Sequence, residues 1–400
     1  MEITTTVFID DITTSSTTQN VLYSNVTSSY NYNYNNTVEV AYDADSFDAF
    51  DYPGGFKHVP SWEIALKTLT YIPVIAFAIV GNVLIILVVA RNKRMQTTTN
   101  YYIVNLAAAD LLVAVSCSWV HLVDDLTDGW VLGSFFCKFN TFAQVLSLVA
   151  SIFTLTFISC DRFFGIVFAM KAHFIERRAR YTIVALWVCS LAIAVPMLIY
   201  RVQEERAWRN HVEKWCDDDW PVVEWKDPVS NSTMSDIPAR KIYYTIVCVV
   251  LFFLPCILMS AAYAVIIWTL WSAKVPGERI SKDIRLQTQL KKRIILMLVL
   301  LLVTFIICWG PLVGILMYSE YREDKLSTLG PWYPKLEYFS RYLAHVNSAI
   351  NPMIYAGFND NFKKVWCKGG EKKKTDFIRI STSFPKHRAE ESLQHNGISG

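Results

Sequence analysis

An all-α integral membrane protein, a bundle of seven transmembrane helices with a short amphipathic eighth, is the fold class this 400-residue sequence predicts. Three observations carry it. The chain is 53% hydrophobic and only 18% charged, where a soluble protein is about a quarter charged. Its apolar residues come in blocks of roughly 20, the length that crosses a bilayer core of about 30 Å as a helix. Basic and acidic residues then alternate between successive connecting segments. The net charge of +3 says little; its distribution says more.

The predicted spans are 66–90, 100–122, 135–160, 181–200, 242–271, 294–318 and 335–357. The fifth, "IYYTIVCVVLFFLPCILMSAAYAVIIWTLW", and the sixth, "IILMLVLLLVTFIICWGPLVGILMY", carry no Asp, Glu, Lys or Arg. The seventh is the least apolar, with Glu337, Arg341, His345, Asn347 and Asn351, and is expected to turn a polar face into the bundle. Barrel strands are excluded, because they alternate and are about half as long.

Segments after spans 1, 3, 5 and 7 are basic ("RNKRMQ", "MKAHFIERRARY", "SAKVPGERISKDIRLQTQLKKR", "NFKKVWCKGGEKKK"). Those after spans 2 and 4 are acidic ("VDDLTDG", "CDDDW"), and the first 60 residues hold eight acids and one Lys. Basic segments stay inside, so the amino end is expected outside and the carboxyl end in the cytoplasm. Residues 1–64 read as a disordered outer tail, rich in Thr, Ser, Asn and Tyr and without the pattern of a cleavable signal peptide. Residues 65–368 form the helical domain and 369–400 a disordered cytoplasmic tail. Asn25, Asn35 and Asn231 head glycosylation sequons on the outer side.

Of nine cysteines, six lie within spans, where a small polarizable side chain needs no further role. Cys137 and Cys216 face the oxidising side, which makes a bridge between them the natural pairing. Cys367 follows the last span beside "NDNFKKVW", where S-palmitoylation and a free thiol both fit.

Ionisable groups within spans are costly and mark functional candidates. Asp110 lies deep in span 2, with Asn82, Asn347 and Asn351 as polar partners from spans 1 and 7. A hydrogen-bond network and a monovalent-cation site both fit this set. Asp161 and Arg162 close the uncharged third span. Neighbours do not share a helix face, yet a carboxylate can bend back to a guanidinium; a topological anchor is the alternative.

Several motifs in order give a specific resemblance. "GNVL" (81–84), "NLAAAD" (105–110), "CDRF" (160–163), Trp187, Pro255, Tyr263, "CWGP" (308–311) and "NPMIY" (351–355) resemble a rhodopsin-like G-protein-coupled receptor over residues 65–368. Phe362 would begin the eighth helix. The resemblance implies a sodium pocket from Asp110, Ser151, Asn347 and Asn351 beneath Trp309, with no other cofactor. It implies a packing relay of Ile152, Pro255 and Phe305. It also implies a G-protein-coupling set of Asp161, Arg162, Phe163, Tyr263 and Tyr355. Phe163 stands where Tyr is commoner, and Lys291 where some relatives carry an acid, so restraint of Arg162 is expected to rest on Asp161.

For the ligand, Gln144 stands where amine receptors carry Asp, and His345 where opsins carry the retinal lysine. A peptide is expected instead. Asp124, Asp125, Asp128, Asp217, Asp218 and Asp219 would favour a basic one by steering, although solubility and topology also account for acids there. Gln144, Trp309, Arg341 and His345 complete the expected ligand set. The resemblance is to the neuropeptide group containing orexin, allatotropin and RFamide receptors, and "HLVDDLTDGWVLGSFFCKFNTFAQV" resembles invertebrate members such as trissin receptors. It implies a heterotrimeric G protein, arrestin and membrane lipid as partners, with no nucleic acid. A transporter or channel built on the intramembrane Asp is the competing class, disfavoured by the absence of an internal repeat. No arrangement of catalytic groups suggests an enzyme.

Overall fold

A computed structural model describes residues 47–52, 59–168, 179–226, 233–272, 282–322, 330 and 332–358. The sequons Asn25, Asn35 and Asn231, the expected eighth helix with Phe362 and Cys367, and the carboxyl tail lie outside these residues.

Helix α1 (Ser61–Arg91) starts after Pro60 and runs through Pro73. Helix α2 (Thr98–Ser116) begins where the Thr97 side chain accepts the Asn100 N–H, satisfying one of the unpaired donors of its first turn. It breaks at Cys117 and continues as α3 (Ser118–Leu126), so the second span is two helices in series. Helix α4 (Gly133–Val167) is the third span and α5 (Ala179–Tyr200) the fourth. The fifth span opens with Pro238 at the start of α6 (Pro238–Thr245), where its missing N–H costs nothing. A π-helical run, Ile246–Phe253, leads into α7 (Leu254–Ser272). Pro255 stands one residue beyond that run, after Leu254: without an N–H it cannot continue the i→i−4 ladder, and the π register absorbs the mismatch. Helix α8 (Lys282–Tyr321) is the sixth span and α9 (Trp332–Phe358) the seventh.

Six of these helical stretches are long and apolar enough to cross a membrane. The seventh is held by its surroundings instead, with Ser340, His345, Asn347, Ser348 and Asn351 buried against the other helices. Spans 2 and 3 bury 67% and 61% of their most apolar windows, against 28% and 22% for spans 1 and 4. The second and third spans therefore form the centre of the bundle, while the first and fourth turn apolar side chains outward. A continuous core joins Leu106, Ile152, Phe252, Met259, Phe305 and Tyr355 across five spans.

The segment after span 4 departs from the plain acidic loop expected. It folds into two hairpins, β1 (Arg201–Ala207) with β2 (Val212–Asp218), and β3 (Val223–Lys226) with β4 (Thr233–Asp236), both antiparallel. The register of the first explains it: Arg201 faces Asp218, Glu205 faces Lys214 and Arg206 faces Glu213, three opposite-charge cross-strand pairs. Lys214 Nζ reaches Glu205 Oε1 at 2.8 Å and holds that carboxyl below the usual glutamate range. Residues 47–52, inside the stretch expected to be disordered, lie against the tip of this hairpin.

Candidate functional site

The Cys137–Cys216 disulfide ties the start of α4 to β2, with Cα atoms 5.7 Å apart. Buried Trp130 packs beside it, its N–H donating to Lys214 O at 2.7 Å and its indole N–H to Gly133 O at 2.9 Å. Gly129 makes this approach possible. Its φ is 73°, and a Cβ there would stand 2.8 Å from Lys214 O, so the position excludes other residues.

Under the hairpin lies a cavity of about 500 Å³, walled by Asp124, Asn140, Gln144, Arg240, Tyr243, Trp309, Glu320 and Arg341 among others. Its charge differs from the acidic mouth expected. Arg201, Lys214, Arg240 and Arg341 share the wall with Asp124, Asp217, Asp218, Glu320 and Glu337. Acids that leave water need partners, and most here have them. Asp218 accepts from Arg201 Nη1 at 2.8 Å and from the Tyr244 hydroxyl at 2.6 Å, with its side chain 5% exposed. Arg341 bridges Glu337 and Asp124, the latter at 3.7 Å. Glu320, 3% exposed, takes Arg240 Nε on one oxygen at 2.9 Å, while its other oxygen has no hydrogen-bond partner.

Of the expected ligand residues, Gln144, Asp124, Asp217, Asp218, Trp309 and Arg341 line the cavity. Asp219 and His345 lie off its wall. Asp219 is exposed and anchors its N–H on Tyr200 O at 2.7 Å. His345 is buried one layer away, its Nδ1 3.0 Å from Ser118 Oγ and its ring 5.1 Å from that of His121. His121 Nε2 in turn lies 3.3 Å from Gln144 Oε1. Glu320, Arg240, Arg201 and His121 were not singled out from sequence. Glu320 and Arg240 sit at span ends, where a charge reads as an anchor, and only their pairing across the bundle marks them.

Beneath Trp309, Asp110, Ser151, Asn347 and Asn351 are all buried. Asn351 Nδ2 donates to Asp110 Oδ2 at 2.8 Å, and Asn347 Oδ1 has no hydrogen-bond partner. Asn82 instead donates to the Ala78 and Ser348 carbonyls, at 2.8 and 2.9 Å, fastening span 1 to span 7. The packing residues follow: Phe305 lies 5.7 Å from the Phe252 ring and 6.3 Å from that of Trp309, in one core with Ile152. Trp187 donates to Asn105 Oδ1 at 2.7 Å, and Asn105 to Thr154 Oγ1 at 2.7 Å, linking spans 2, 3 and 4.

At the far end, Asp161 bends back onto Arg162, with Nε 3.0 Å from Oδ2 and Nη2 on the same oxygen. Arg162 Nη2 also donates to Thr99 Oγ1 of α2 at 2.7 Å. Tyr263 and Tyr355 are buried in the same core. Phe163 stands edge-on to Phe164 and Phe168, at 5.7 Å from each. Lys291 is exposed.

A cavity closed by a disulfide-tied hairpin at one end of seven helices, and a held arginine at the other, define a membrane receptor architecture. Residues 81–355 match the model of the 7 transmembrane receptor (rhodopsin family), and the chain belongs to that family. It is 32% identical over 326 residues to neuropeptide FF receptor 2 of Mus musculus, covering 78% of this chain and 74% of the relative. It is 30% identical over 304 residues to the substance-P receptor of Rattus norvegicus, covering 76% and 70%. With the neuromedin-K receptor of Rattus norvegicus it shares 28% over 333 residues, covering 81% and 69%. The protein is thus a multi-pass membrane protein of a signalling-receptor family rather than an enzyme, and the transporter reading finds no support.

Proposed function

We propose that this protein is a cell-surface receptor for a neuropeptide carrying a cationic group, and that it passes binding on to a heterotrimeric G protein. The observation that carries the ligand class is Glu320. Its buried carboxylate faces a cavity of about 500 Å³ with one oxygen unmatched, an arrangement that favours a guanidinium or ammonium. The names of the similar receptors, for neuropeptide FF, substance P and neuromedin K, agree with a peptide. The amino end faces outside, supported by the disulfide at the hairpin end and the basic segments at the other. Arg162, Tyr263 and Tyr355 serve the G-protein face, where arrestin would also dock, and membrane lipid covers the outward apolar side chains.

The test begins with a screen of amidated and free neuropeptides on transfected cells, read by calcium and cAMP. For an active peptide with an Arg or Lys, Glu320→Gln weakens the response by about tenfold or more, since breaking one side of a buried charge pair costs about 2–5 kcal/mol. The same peptide with that residue replaced by Gln loses no further potency on Glu320→Gln. Independent losses from the two changes would remove Glu320 from the ligand site.

The Asp110 cluster is proposed to hold a sodium ion. The carboxylate and the unpartnered Asn347 oxygen fit a small hard cation, with Ser151 and Asn351 nearby as further oxygen donors. Bound there, the ion would supply a positive charge that favours one helix packing.

A further inference from the structure

Residues Phe47–Tyr52 precede the first span and are fastened to the tip of the β1–β2 hairpin. Phe47 forms a parallel bridge with Trp208, their rings 4.9 Å apart. The Arg209 N–H donates to Phe50 O at 2.9 Å, and its guanidinium to Ala49 O. Tyr52 N–H donates to Asn210 Oδ1 at 2.8 Å, and its ring lies 5.6 Å from that of Trp208. The Arg206 guanidinium stands 4.9 Å over the Phe47 ring.

A two-stranded hairpin is marginal by itself. The base of this one is fixed by the Cys137–Cys216 bridge and by the Arg201–Asp218 pair. Its tip projects beyond both, and Trp208 at that tip is only 8% exposed. None of residues 47–52 lines the cavity, whereas Lys214, Trp215, Cys216 and Asp217 of the hairpin do. The segment therefore acts on the cavity through the hairpin. We infer that Phe47–Tyr52 is a strap that holds the β1–β2 hairpin in place over the cavity and sets access to it, with Trp208 as the positioning residue that the strap grips. This makes the stretch ahead of the first span part of the ligand-binding apparatus, and it rests on the receptor reading above.

The experiment uses the full-length chain with no peptide present. Thr141, on the cavity wall, is replaced by Cys and labelled with methanethiosulfonate-ethylammonium, with the Thr141 chain as background. Phe47→Ala and Trp208→Ala each raise the labelling rate by about tenfold, because labelling follows the open population of a locally opening segment. Trp208→Phe keeps the aromatic contact and stays near the parent rate. Cys308, buried in the bundle, stays unlabelled in a folded chain. If Trp208→Ala exposes Cys308, Phe47→Ala decides, being remote from the helices. A parent-like rate in Phe47→Ala overturns the strap. Since no peptide is used, a failed peptide screen leaves this outcome standing, and a failed strap leaves the peptide reading standing.

Discussion

Arg162 has a defined set of partners, and on the proposed receptor reading this is the set that activation must break. Asp161 holds its Nε and Nη2, and Thr99 takes Nη2 at 2.7 Å. A residue can switch a bundle only if it has two alternative partner sets; the second set proposed here is Tyr263, buried nearby in the same core, and the G protein. Arg162→Ala is expected to abolish nucleotide exchange on purified G protein while leaving peptide binding largely intact. Thr99→Ala acts in the opposite direction. A hydrogen bond to a charged group is worth about 1.5–3 kcal/mol, so its loss raises basal exchange by roughly tenfold, and Thr99→Ser restores the parent level. Full exchange by Arg162→Ala, at matched surface expression, would reduce the pair to an anchor. The Asp110 cluster depends in the same way on one charged side chain. Asp110→Asn removes its only carboxylate, so sodium should no longer shift agonist affinity, since an ion biases two states only by binding them differently. An equal shift in both proteins would make the cluster purely structural.

At the scale of elements, what could be read in the sequence was what periodic apolarity and ordered motifs encode. The spans stood out because about 20 uncharged residues have few other uses, and even span 7 was placed by its polar face. The β1–β2 hairpin did not stand out. Its strand "RVQEERA" is mostly charged and polar, without alternating apolar residues, and its stability comes from pairing with "VEKWCDD" across the turn, which no single strand reveals. The break of the second span at Cys117 has no Gly or Pro to announce it. The π-helical run ahead of Pro255 is similar: proline signals a disturbed ladder, but the register adopted depends on packing of Phe252 against Phe305. Among site residues, Asp110, Asn347 and Asn351 were accessible because each interrupts an apolar span, and Ser151 and Gln144 through the family resemblance. Thr99, Glu320 and Arg240 were not, because each lies near a span end, where polar residues are ordinary. Asp218 was recognised as an acid of the ligand set and lines the cavity, but its pairing with Arg201 and Tyr244 was not legible, because it arises only when the hairpin folds against the fifth span.

Across the whole molecule, the cavity and Arg162 occupy opposite ends of one continuous core that includes Trp309, Phe305, Ile152 and Tyr355. On the proposed receptor reading, this core is the packed material through which binding at one end would bias the other. The charges outside it divide between two tasks. Asp218 is buried and paired, whereas Asp217 and Asp219 are exposed on the rim. The Asp218 charge is therefore matched locally by Arg201, while those of Asp217 and Asp219 face solvent. Replacing Asp217 and Asp219 together by Asn is expected to slow association of a cationic agonist a few-fold at low salt with little change in dissociation, because rim charges act on encounter. The slowing should vanish near 1 M salt, where the Debye length falls to about 3 Å from about 10 Å at 0.1 M. Asp218→Asn should do the reverse. It removes the charge that Arg201 pairs with and leaves one acceptor oxygen for the two donors Arg201 and the Tyr244 hydroxyl, which loosens the hairpin over the cavity and speeds dissociation at every salt concentration. Stopped-flow binding of a labelled agonist across a salt series separates the two. If Asp218→Asn behaves like the rim pair, fading with salt, then the Arg201–Asp218–Tyr244 contact does not hold the hairpin, and Asp218 acts only as one more rim charge.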